Sequence, residues 1–108
     1  MNRTVRRTAA EAVRAIMVAR DVRRVVPDVE TVLTTPVYTE MGPRGPRVAV
    51  HVHLADVLDL PLAAAPAEYR TAYAVLRRAY PHAAWTGEEH RYDVRAGRLL
   101  RLAPWEAE

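Results

Sequence analysis

The chain has 108 residues, 50% of them apolar, a formal net charge of +3 and no cysteine. That length fits one domain with a core of its own, and that apolar content argues against intrinsic disorder. Without cysteine there are no disulfides, no thiol nucleophile and no thiolate metal site, as expected of a cytoplasmic, reducing setting.

The charge is unevenly placed. The first 24 residues hold seven arginines against Glu11 and Asp21, a net +5, and the other 84 hold nine arginines against eleven carboxylates, a net −2. A basic N-terminal segment on a slightly acidic body can be steered to an acidic partner. Lysine, serine, glutamine and phenylalanine are absent, so arginine carries all the fixed positive charge of the side chains. A codon bias is the simpler explanation of arginine in place of lysine, which is therefore weak evidence for phosphate binding, although arginine's planar fork would suit it. Arg6-Arg7 before an alanine-rich run looks superficially like a twin-arginine leader. Glu11 and Arg14 interrupt that run, so a targeting segment is not expected.

Residues 4–20 read as a basic helix. Val5, Ala9, Ala12, Val13 and Ile16 recur at helical spacing, and Arg3, Arg7 and Arg14 fall on its flank. Extending that helix past Arg20 puts Arg20 and Arg23 on the apolar stripe and Val18, Val22 and Val25 opposite it. Either the helix breaks near Ala19–Asp21, the simpler reading, or it has a second apolar face that needs a second partner. Residues 29–41 read as a strand, with Val29, Leu33, Val37 and Met41 on one face. Pro36 cannot donate to a ladder, which puts this strand at an edge or interrupts it there.

Gly42–Pro46 is a turn. Residues 47–54 then alternate, with Val48, Val50, Val52 and Leu54 inward and Arg47, Ala49, His51 and His53 outward. Residues 55–66 are ambiguous between a helical turn and a continuing strand. A second helix is expected over 67–80, with Tyr69, Ala72, Tyr73, Leu76 and Tyr80 as its apolar stripe and Pro66 suited to its first turn. Residues 90–94 and 99–103 make a second hairpin around Arg95–Arg98. His90, Tyr92 and Val94 share a face there, and Gly97 can take a positive φ. Trp85 falls in an extension or loop, and Trp105 in a tail.

The predicted fold is α+β, a single two-layer domain over 1–108 in the order α-β-β-α-β-β. Two hairpins form one antiparallel sheet with both helices on one face. Val13, Ile16, Val48, Val50, Val52, Tyr73, Leu76 and Leu102 are the expected core.

No motif names a reaction. His51 and His53 share a strand face and can chelate a metal if Asp56, Asp59 or His90 joins them. Alternating polar residues are also what an exposed strand face looks like. Glu88, Glu89, His90 and Asp93 offer acid–base groups without a nucleophile beside them. The four glycines form no phosphate cradle. The leading expectation is a small non-enzymatic interaction domain that binds a protein or itself as a homodimer. It has no cofactor and no part in a membrane. The alternatives are a nucleic-acid-binding accessory protein using Arg3, Arg7 and Arg14, and a metal-dependent enzyme built on His51 and His53.

Overall fold

The computed structural model describes residues 7–39, 43 and 45–102, and Arg3, Met41 and Trp105 lie outside them. The order is α1 (Ala9–Val25), β1 (Thr31–Thr39), β2 (Arg47–Ala55), α2 (Pro66–Ala79), β3 (Glu89–Asp93) and β4 (Arg98–Leu102). The strands form one antiparallel sheet in the order β2-β1-β3-β4. Both helices pack on one of its faces, giving the expected α+β sandwich. Among the described residues no helix is long and apolar enough to cross a membrane.

Helix α1 starts and ends later than its periodicity suggested. Thr8 is its N-cap, with the Glu11 backbone amide donating to Thr8 Oγ1 at 3.1 Å and the Thr8 amide donating back to Glu11 Oε2 at 3.3 Å. No break occurs near Ala19–Asp21.

The assignment of its faces is overturned. Ala15, Val18 and Val22 are buried, while Val13 is 55% and Ile16 69% exposed. The helix carries two apolar stripes, and only one continues without charge. The Ile16 stripe runs into Arg20 and Arg23, whereas Val18 and Val22 lead on to Val26 and Val29, all four in the same core cluster. Burying the Ile16 stripe would bury arginine, which burying the valine stripe avoids. Arg23 instead reaches Glu30 at 3.0 Å beyond the helix end.

The first hairpin also needs correction. Cα pairing sets Val32 opposite Leu54 on β2 and Tyr92 on β3, and all three are buried. The even-numbered residues of β1 therefore face the helices. Leu33 and Val37 lie on the open face with Thr31 and Thr35. The inward alternation of β2 is as expected, yet burial fades along it. Leu54 is buried, Val52 and Val50 are half-buried, and Val48 is exposed. The cause is length. β3 pairs with β1 only as far as Thr34, so the distal half of the hairpin, out to the Thr39–Arg47 pair, is a two-stranded ribbon beyond the helices. Pro36 sits in that ribbon, where β1 has a single neighbouring strand.

The ambiguous connector is a turn. Asp56 Oδ1 accepts from the amides of Leu58 and Leu60, Asp59 has φ +61°, and Pro61 returns to bridge Ala55. Helix α2 follows with Pro66 in its first turn, and Glu68 Oε1 accepts from the Ala65 amide at 2.7 Å. Ala72 and Leu76 are its buried residues, while Tyr73 is half-buried.

His90, Tyr92 and Val94 are all buried, and Leu102 only partly. Trp85 is a core residue rather than part of an open loop. Its indole N–H donates to the Tyr80 carbonyl at 3.1 Å, and its ring meets Tyr73 edge-on at 5.8 Å.

Candidate functional site

Two surface features meet at Arg14. The first is an open groove of about 550 Å³ between α1 and α2. Val13, Met17 and Val18 form one wall and Val75 and Ala79 the other, so the lining is mainly apolar. The groove exists because α1 buries its valine stripe and leaves Val13 and Met17 outward. Its charges are separated along its length. Asp21 lies two helical turns beyond Arg14, about 10 Å along the axis. Arg78 lies at the other end, two residues before Tyr80, on which Arg14 stacks.

The second feature is a recess of about 320 Å³ lined by Arg7, Glu11, Arg14, Tyr80 and Arg98 to Leu100. Arg7 does not lie free on a helix flank. It precedes the helix, and its Nη2 donates to the carbonyl oxygens of Ala96 and Gly97 in the β3–β4 turn. Arg14 lays its guanidinium 4.4 Å over the Tyr80 ring. Among the described residues no carboxylate comes within salt-bridge distance of Arg7, Arg14 or Arg98. Glu11 is occupied in the cap of α1.

Arg14 Nε, beside this recess, is buried without a hydrogen-bond partner, and the buried Tyr92 hydroxyl has Tyr80 as its hydrogen-bonding neighbour. An unpaired buried polar group costs about 1–3 kcal/mol. Burial pushes the Tyr92 hydroxyl pKa far above its ordinary value. The adjacent Tyr80 adds to that shift, and Arg7 and Arg14 oppose it.

The histidines separate. His51 and His53 stand side by side on the open sheet face, opposite Thr35 and Leu33 of β1. His90 is buried on the opposite face, with Nδ1 3.1 Å from the Glu88 carbonyl and its ring 4.7 Å from Trp85. It cannot join the His51/His53 pair. Asp56 is engaged by its own turn. Among the described residues no three histidines or carboxylates are grouped as a metal site. The acid–base candidates disperse likewise. Glu88 lies 3.5 Å from Arg101, and Asp93 Oδ1 accepts from the Ala96 amide.

The sequence marked Arg7 and Arg14 but missed Tyr80, Tyr92 and Arg98 as their neighbours. Only the β3–β4 register and the α1–α2 packing bring these together. No protein family, curated protein or solved structure matches the chain.

Proposed function

We propose that this protein is an interaction domain that pairs with a second copy of itself through the α1–α2 groove. The carrying observation is that the groove is apolar along its floor and opposite in charge at its two ends. A two-fold axis near Met17 reverses one groove against the other. Asp21 of each copy then meets Arg78 of the other, and Val13, Met17 and Val75 lose water together. An isologous contact requires such self-complementarity. Among the described residues Asp21 pairs only with Arg20, at 3.3 Å, and that pair is exposed and easily exchanged.

The test is mass. Light scattering at tens of micromolar is expected to give two chains for the wild type and one for Met17→Asp, with unchanged circular dichroism. Asp21→Arg alone should weaken pairing, and adding Arg78→Asp should restore it. A monomeric wild type overturns the proposal. Co-purified nucleic acid released by salt would instead favour nucleic-acid binding by the basic helix, since phosphate contacts carry a steep salt dependence.

A further inference from the structure

The geometry points to a second site, separate from self-association: the recess beneath Arg7, Arg14 and Arg98 binds a phosphate monoester carried on a small apolar or aromatic group.

Three arginines and one carboxylate line the recess, and the carboxylate already accepts the Thr8 amide. Two of the arginines are fixed before any ligand arrives. Arg7 is clamped by the carbonyls of Ala96 and Gly97, and Arg14 is stacked on Tyr80. Fixed guanidinium forks suit phosphate, which offers several acceptor oxygens and up to two negative charges. A carboxylate has one charge and two oxygens, enough for a single fork. Arg98 is exposed and makes no ion pair among the described residues, so it is free to close on the anion.

The apolar wall, Leu99 and Leu100 with the Tyr80 ring, is where the ester's organic group rests.

The probe is phenyl phosphate, with inorganic phosphate and benzoate as separate arms, followed by amide chemical shifts of the intact protein. Saturable shifts are expected at Gly97, Leu99 and Leu100. Phenyl phosphate should bind more tightly than either control, because one lacks the ring and the other lacks the dianion. Arg98→Gln should weaken phenyl phosphate by about tenfold, as loss of one charge-assisted hydrogen bond implies. Arg47→Gln, on the distant hairpin, should leave it unchanged. The affinity for phenyl phosphate should not change with protein concentration, which separates this site from self-association. Benzoate binding as tightly as phenyl phosphate overturns the phosphate assignment. Absence of saturable shifts at millimolar phenyl phosphate, or equal weakening by Arg47→Gln, overturns the site.

Discussion

The Arg14 guanidinium lies 4.4 Å over the Tyr80 ring, tying the N-terminal half of α1 to the C-cap of α2. The contact has a gain and a cost. Cation–π stacking contributes about 0.5–2 kcal/mol, and the buried unpartnered Nε offsets a similar amount. Arg14→Met keeps the apolar stem and removes both terms. Its stability by urea titration is expected to stay within about 1 kcal/mol of wild type. A loss above about 2 kcal/mol would reveal a further partner of the guanidinium.

The face of α1 is checked by a pair of truncations. Leu76→Ala on α2 removes a fully buried side chain and should cost about 2–5 kcal/mol. Ile16→Ala removes one that is 69% exposed and should fall within about 0.5 kcal/mol. Equal losses would return Ile16 to the core.

Why the sequence misassigned this face is a matter of what it can display. Val13 and Ile16 are as apolar as Val18 and Val22, and periodicity weighs all four alike. The choice is made by Arg20 and Arg23, which lie in line with Ile16 and can stay in water only if the other stripe goes inward. The order of elements was legible because its signals are local: Pro66 at a helix start, Gly97 in a turn, alternating valines in β2. Leu33 and Val37 misled because β1 is apolar on both faces, and only its pairing with Leu54 and Tyr92 selects Val32. Val48 points the expected way, but the reach of the helices over the hairpin is a tertiary fact. The recess was half-visible. Arg7 and Arg14 stood out by charge, while Tyr80 and Arg98 lie more than sixty residues away in the chain.

Two glycines with positive φ separate backbone strain from steric contact. Gly45 has φ +85° and open space where a Cβ would go, while Gly97 has φ +63° and a Cβ there would sit 2.5 Å from the Ala15 Cβ. Gly45→Ala should cost about 1 kcal/mol or slightly more, the strain alone. Gly97→Ala should cost clearly more, because α1 must also move off the β3–β4 turn. Equal urea midpoints for the two variants would mean that Ala15 and the turn are not in tight contact.

The last expectation concerns alkaline pH. Tyr92 is buried, and its hydroxyl pKa is raised in the folded state, first by burial, then by Tyr80, with Arg7 and Arg14 pulling the other way. In the unfolded chain it titrates near its ordinary value of about 10. Below that pH the phenol is neutral in both states, and the fold keeps its full stability. Above it the unfolded chain releases a proton that the folded protein retains, so the unfolded state gains. Stability should therefore fall as pH rises above about 10, approaching a slope of about 1.4 kcal/mol per pH unit for this one group. Tyr92→Phe removes the titrating group along with its contact to Tyr80. That variant should stay within about 1 kcal/mol of wild-type stability at neutral pH and show a shallower alkaline decline. Urea midpoints between pH 8 and 11.5 decide it, since the arginines stay charged throughout. A parallel decline in wild type and variant would place the titration on another tyrosine.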